Sequence, residues 1–140
     1  MSEAVLVDTG PLVAFLNADD RYHAWALEVF AGIETPVVTC EAVVSETCFL
    51  LRRARKGGEA VLKLLERGLL RLPFRLEPES ASVRRLLARY ADVPMSLADA
   101  CLVRMSEQIS GSILLTLDRD FKIYRKHGRQ VIRTRMPEGF

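Results

Sequence analysis

An α/β fold with a mostly parallel sheet covered on both faces is what this sequence predicts, on three observations. Short apolar runs that read as strands alternate with segments whose apolar residues fall at helical spacing. The first of those runs is apolar throughout and rich in β-branched residues, as a strand buried on both faces is. The length, 140 residues, is that of one domain, with no repeat, low-complexity tract or linker to divide it. Residues 1–135 read as that domain and 136–140 as a loose tail.

Ala4-Val-Leu-Val-Asp8 is the first strand. Thr9-Gly10-Pro11 breaks it, and Leu12 to Asn17 reads as one or two helical turns with Pro11 near their start. Tyr22, Trp25, Ala26, Val29 and Phe30 fall at helical spacing within 21–30, with Asp20 as the expected N-cap. Pro36-Val-Val-Thr-Cys40 reads as a second strand. A helix over 41–55 follows, ended near Gly57-Gly58. Val61, Leu62, Leu64 and Leu65 make 59–68 another amphipathic helix, and 69–76, interrupted by Pro73, holds a short strand. Pro78-Glu79 opens a helix through Ala91 with Val83, Leu86, Leu87 and Tyr90 on one face. The remainder reads as a helix over 96–107, a strand over 112–117, a short helix over 119–126 and a last small strand over 130–133.

Composition narrows the function classes. Hydrophobic residues make up 49% and charged residues 27%, which suits a soluble domain with a real core. No apolar run reaches the ~18 residues of a membrane span, and Met1 to Val5 lacks the basic start of a signal peptide. Cys40, Cys48 and Cys101 are odd in number, show no Cys-x-x-Cys spacing and lie in apolar segments. Buried reduced thiols and a cytoplasmic setting are therefore expected. Net charge is only +2, but Arg119, Lys122, Arg125, Lys126, Arg129, Arg133 and Arg135 crowd one stretch, and Arg52, Arg53, Arg55 and Lys56 another. Each stretch suits phosphate binding or a solvated basic face.

Four carboxylates stand out because each interrupts an apolar segment: Asp8, Glu46, Asp99 and Asp118. Carboxylates avoid such settings unless something pairs with them, and the economical common partner is a divalent metal. Asp8 and Asp118 each follow a strand, and ligands of open parallel α/β sheets bind beyond the carboxyl ends of strands. Turn formation is the competing role for both. Glu46 has Ala42, Val43, Phe49 and Leu50 as its helical neighbours, which places it on the buried side; a buried ion pair with an Arg is the alternative. Asp99 shares its face with Met95, Ser96, Leu102 and Val103, and Ser96-x-x-Asp99 also fits a capping box. Oxygen ligands suit Mg²⁺ or Mn²⁺ rather than zinc, and His23 and His127 are isolated. No Gly-rich phosphate loop follows a strand, and Ser45 and Ser96 have no partnering His.

Val5-Leu-Val-Asp8-Thr-Gly-Pro-Leu-Val-Ala-Phe-Leu16, Glu46 on the helix after the second strand, Leu97-Ala-Asp99-Ala and Leu114-Leu-Thr-Leu-Asp118-Arg-Asp120-Phe, in that order, resemble the PIN domain family. The likeness is to VapC-like ribonucleases, the toxins of toxin–antitoxin pairs. It implies a three-layer α/β/α sandwich with a central parallel sheet, and an Mg²⁺- or Mn²⁺-dependent endoribonuclease that is commonly dimeric. It also implies RNA as substrate and an antitoxin protein as partner. The family's acidic quartet falls on Asp8, Glu46, Asp99 and Asp118, with Asp120 as a further acid of less certain role. Thr9 and Thr116 match its supporting hydroxyl residues. On this reading the basic stretches hold the RNA backbone, with Phe121 and Tyr124 available for stacking, although aromatics at that spacing more often belong to a core. A non-catalytic PIN-like module for RNA or protein is the competing reading. A phosphatase-like hydrolase with an aspartyl nucleophile ranks below it, since Asp8-Thr9-Gly10 lacks the usual Asp-x-Asp spacing.

Overall fold

Strand β1 (Val5–Val7) is short, but Leu6 and Val7 are completely buried, as they must be in a strand covered on both faces. The computed structural model describes residues 3–34 and 36–140. Met1 and Ser2, which begin the stretch read above for a signal peptide, and Thr35 lie outside the described residues. After β1 come α1 (Thr9–Leu16), α2 (His23–Ala31), β2 (Val37–Val38), α3 (Glu41–Leu50), α4 (Gly57–Glu66) and β3 (Leu70–Arg71). A 3-10 turn at Glu77–Glu79 leads into α5 (Ser80–Arg89), α6 (Leu97–Gln108) and β4 (Ile113–Leu115). A second 3-10 turn at Arg119–Lys122 is followed by β5 (Arg125–Lys126), β6 (Gln130–Val131) and β7 (Thr134–Arg135).

The expected parallel sheet is present, in the order β3-β2-β1-β4-β7, with helices flanking it and every pairing parallel. Leu6 registers with Val38 on one side of β1, and Val5, Leu6 and Val7 with Ile113, Leu114 and Leu115 on the other. The chain steps outward from β1 through β2 to β3 and then returns to β4. Strand order therefore reverses between β1 and β4, the place where an open α/β sheet leaves a crevice at its carboxyl edge. Helix α6 packs deepest, burying Ala98 through Val103, Met105 and Ser106. The small side chains of Ala98 and Ala100 let it lie close to its neighbours. Phe121 and Tyr124 are the bulkiest wholly buried side chains together with Leu6 and Leu12. Each buried side chain of this size contributes about 1.5–3 kcal/mol through removal of apolar surface from water.

Several elements differ from the sequence expectation, each for a local reason. Helix α3 stops at Leu50, and Gly57-Gly58 opens α4 instead of closing α3. Gly57 is needed for close approach: a Cβ there would stand 2.2 Å from the Leu51 carbonyl oxygen. Asp20 does not cap a helix from residue 21. Its Oδ1 accepts the Tyr22 N–H at 2.8 Å in a turn, and α2 begins at His23. The helix expected over 119–126 shrinks to one 3-10 turn, because Arg125 and Lys126 pair with Val131 and Gln130 in an antiparallel hairpin. His127 and Gly128 turn that hairpin with φ of +51° and +82°. The strand that closes the main sheet is Thr134–Arg135, one step later than the 130–133 run. Residues 136–140 are not loose. Phe140 meets the Tyr22 ring edge-on at 5.4 Å, lies 4.9 Å under the Arg119 guanidinium and accepts a hydrogen bond from Lys122 Nζ at its carbonyl. Cys40 and Cys101 are buried free thiols and Cys48 is half-buried. Among the described residues no helix is long and apolar enough to cross a membrane.

Candidate functional site

Asp8, Thr9, Gly10, Glu46, Leu50, Asp99, Leu117 and Asp118 line one crevice of about 220 Å³. It lies at the carboxyl edge of β1 and β4, where strand order reverses. All four carboxylates singled out from the sequence meet there, although they come from β1, α3, α6 and the loop after β4. A larger groove, about 390 Å³, is purely apolar where Leu12, Phe15, Leu27, Phe30 and Leu64 line it, and carries none of the acids.

Asp8 continues the β1–β4 ladder, its N–H bonded to the Leu115 carbonyl at 3.0 Å, so its side chain enters the crevice at the end of the strand. The residue is only 7% exposed. Oδ1 accepts the Thr9 N–H at 2.7 Å, which starts α1, and Oδ2 accepts the Thr116 hydroxyl at 2.7 Å. Burial pushes the carboxyl up to about 7; the Thr116 and Thr9 hydrogen bonds oppose this, and the neighbouring Asp99 and Asp118 charges add to it. Thr116 is fully buried and also accepts the Asp118 N–H at 3.0 Å, so one hydroxyl ties two of the acids together. Asp118 Oδ1 in turn accepts the Asp120 N–H at 2.9 Å and starts the second 3-10 turn. Asp118 thus forms a turn and lines the crevice at once. Asp120 sits beyond it, off the lining, and meets the site through its backbone.

Asp99 is held by the capping box that the sequence suggested. Ser96 Oγ accepts the Asp99 N–H at 3.0 Å, and Asp99 Oδ2 accepts the Ser96 N–H at 3.3 Å. The Tyr124 hydroxyl also donates to Oδ2, at 3.1 Å. Burial raises the Asp99 carboxyl; the bonds from Ser96 and Tyr124 oppose it and Asp118 reinforces it. Capping and facing the crevice are therefore compatible roles for the same side chain.

Glu46 corrects its expectation. It is exposed, not on the buried side, and no arginine pairs with it among the described residues. Phe49 and Leu50, the apolar neighbours that suggested burial, are themselves 60% and 52% exposed, while Val43 and Thr47 form the inner face of α3. What burial Glu46 has still raises its carboxyl, with Asp99 and Asp118 adding to the effect. The Thr9 hydroxyl leans weakly the other way. It makes no hydrogen bond of ordinary geometry, and its Oγ1 is a buried oxygen without a partner.

Of the two roles open to Phe121 and Tyr124, the structure shows the core one and not stacking on RNA: both rings are completely buried. Tyr124 instead reaches Asp99, a contact across 25 residues that no local spacing announces. Arg52 stacks 4.0 Å over the Phe49 ring beside the crevice, and Arg53, Arg55 and Lys56 are exposed on the turn that follows. In the other basic stretch, Arg133 pairs with Glu3, and Arg125 donates to the carbonyls of Lys122, Ile123 and Tyr124.

The lining supplies four carboxylates, no His and no Cys, which is the donor chemistry of a hard divalent cation. The orphaned Thr9 oxygen adds a further unused donor. Among the described residues, however, no three His, Cys, Asp or Glu side chains close on a common point as a preformed metal site.

Ribonuclease VapC26 of Mycobacterium tuberculosis is 29% identical over 118 residues, covering 82% of this chain and 87% of that protein. The crystal structure of VapC20 from Mycobacterium tuberculosis, described as a sarcin-ricin loop cleaving toxin, has the same fold. It matches with a TM-score of 0.73 at 24% identity, over 86% of this chain and 94% of that one. The family model of the PIN domain matches residues 5–127, and so the chain belongs to the PIN domain family.

Proposed function

We propose that this protein is a divalent-metal-dependent endoribonuclease of the VapC kind, the toxin of a toxin–antitoxin pair. The observation that carries the reading is the gathering of Asp8, Glu46, Asp99 and Asp118, from four separate segments, into one crevice at the carboxyl edge of β1 and β4. Asp8, Asp99 and Asp118 would hold Mg²⁺ or Mn²⁺, and Glu46 would ligate it from the rim or orient the attacking water. A divalent cation held there supplies Lewis acidity, which makes water a competent nucleophile near neutral pH and offsets charge on the departing oxygen. The protein's own part is placement. Thr116 fixes Asp8 and Asp118 relative to each other, and Ser96 fixes Asp99. Arg52, Arg53, Arg55 and Lys56 bind the RNA backbone next to the crevice. The apolar groove of Leu12, Phe15, Leu27 and Phe30 offers a face to a second copy or to an antitoxin segment.

Purified protein incubated with a mixed structured RNA in Mg²⁺, in Mn²⁺ and in EDTA, beside Asp8→Asn, tests the reading. Cleavage in either metal that disappears in EDTA and in the variant is the expected result. A folded Asp8→Asn that cuts as wild type overturns it. The spacing of the carboxylates without a common point favours one other reading, a non-catalytic RNA-binding module. That module would bind RNA equally well in EDTA and cut it in neither metal.

A further inference from the structure

Tyr124 is fully buried, and a buried phenol needs a partner for its hydroxyl. The partner is not a backbone carbonyl but Asp99 Oδ2, at 3.1 Å. The same oxygen takes the Ser96 N–H at 3.3 Å, so both bonds fall on Oδ2. The tyrosine is itself held firmly. Its ring meets Tyr90 and Phe121 edge-on, each at 5.1 Å between centroids. Its N–H donates to the Asp120 carbonyl at 3.1 Å, within the turn whose start is fixed by Asp118 Oδ1 on the Asp120 N–H. The segment 118–124 thus begins with one acid of the crevice and ends with a hydroxyl that grips another.

We propose that Tyr124 is a positioning residue for Asp99: held by the turn that Asp118 starts, its hydroxyl occupies Oδ2 and leaves Oδ1 as the oxygen Asp99 offers to the cation. The proposal rests on the reading of Asp99 as a ligand. It gives the segment 118–124 two tasks, since Asp118 at its head and Asp99 opposite its end are set by the same short stretch. Tyr90 serves as an internal control. Its hydroxyl is a second aromatic hydroxyl in the same cluster, but it accepts the Arg125 N–H at 2.9 Å instead of touching an acid of the crevice.

Tyr124→Phe keeps the ring and its packing and removes only the hydroxyl. Mn²⁺ binding by calorimetry would be compared for wild type, Tyr124→Phe, Tyr90→Phe, Asp99→Asn and the Tyr124→Phe/Asp99→Asn double variant, each confirmed folded by circular dichroism. Tyr124→Phe should bind Mn²⁺ roughly 10-fold more weakly, with cleavage recovering as Mn²⁺ is raised. Tyr90→Phe should bind as wild type even where its melting temperature falls as far. In the double variant the hydroxyl should no longer matter, leaving affinity at the Asp99→Asn level. Wild-type affinity in Tyr124→Phe alongside weak binding in Asp99→Asn overturns the positioning role alone. Wild-type affinity in Asp99→Asn overturns the ligand reading on which it rests.

Discussion

The buried Asp8 carboxyl couples folding stability to pH in a direction opposite to that of an ordinary surface acid. Its pKa is about 7 in the folded chain and 3.8 in the reference state. The folded protein therefore holds a proton that the unfolded chain gives up between those values. Stability from this group is complete below pH 4, declines as pH rises, and is gone above about pH 7. Between pH 5 and pH 8 the loss from Asp8 alone is about 2–3 kcal/mol. Asp8→Asn removes the titration while keeping an acceptor for the Thr9 N–H, and its amide can donate to the Thr116 oxygen. Urea unfolding in EDTA at both pH values measures the effect. Wild type should lose about 2–3 kcal/mol on going to pH 8, and Asp8→Asn should lose far less, becoming the more stable protein there. Excess Mn²⁺ at pH 8 should restore wild type by about 2.7 kcal/mol at 100 times its Kd and leave the variant nearly unchanged. A wild-type protein equally stable at pH 5 and pH 8 in EDTA, with no gain in the variant, would refute the reasoning.

Other perturbations separate the parts of the site. Thr116→Val leaves the Asp118 N–H without its acceptor and Asp8 Oδ2 without its donor, so it should cost about 1–3 kcal/mol in urea unfolding and weaken Mn²⁺ binding as well. Gly57→Ala drives a methyl into the Leu51 carbonyl and should destabilise by about 1–3 kcal/mol, read as a lowered melting temperature, with cleavage by the remaining folded protein intact. Arg52→Ala with Arg53→Ala should raise KM for RNA without changing kcat. On a single strand it should also flatten the salt dependence of binding by about 0.7 in log–log slope for each phosphate no longer neutralised. Ser96→Ala removes the hydroxyl half of the capping box and should cost about 1 kcal/mol in thermal unfolding.

The sheet and most helices were legible because burial on both faces leaves a plain trace, an apolar run such as Val5–Val7 or Ile113–Leu115. Asp8 and Asp118 were legible for the same reason, as the acids that follow those runs. What escaped was set by contacts between distant segments. The left-handed turn at His127 and Gly128 draws Arg125 and Lys126 out of a helix, but local propensity speaks only for the helix. Thr134–Arg135 is a strand because Leu114 and Leu115 await a partner, which its own sequence does not say. Glu46 misleads because Phe49 and Leu50 are apolar and exposed, a pattern that helical periodicity reads as core. The spacing of Tyr124 allows a core ring, but nothing local says that its hydroxyl belongs to Asp99.

Three of the crevice's acids are held by hydrogen bonds: Asp8 accepts from Thr9 and Thr116, Asp118 donates its N–H to Thr116 and accepts the Asp120 N–H, and Asp99 accepts from Ser96 and Tyr124. The fourth, Glu46, stands exposed on α3 with no such bond, beside the unused Thr9 oxygen. Burial first, and then the charges of neighbouring acids, make Asp8, Asp99 and Glu46 all hold protons more tightly than free carboxyls do. On the proposed reading, Asp8, Asp99 and Asp118 would set where a divalent cation sits, and Glu46, exposed on α3, would be the ligand with the most freedom to adjust to it. Exposed on α3, Glu46 is also the acid whose loss should leave stability in EDTA least disturbed, read by urea unfolding of Glu46→Gln.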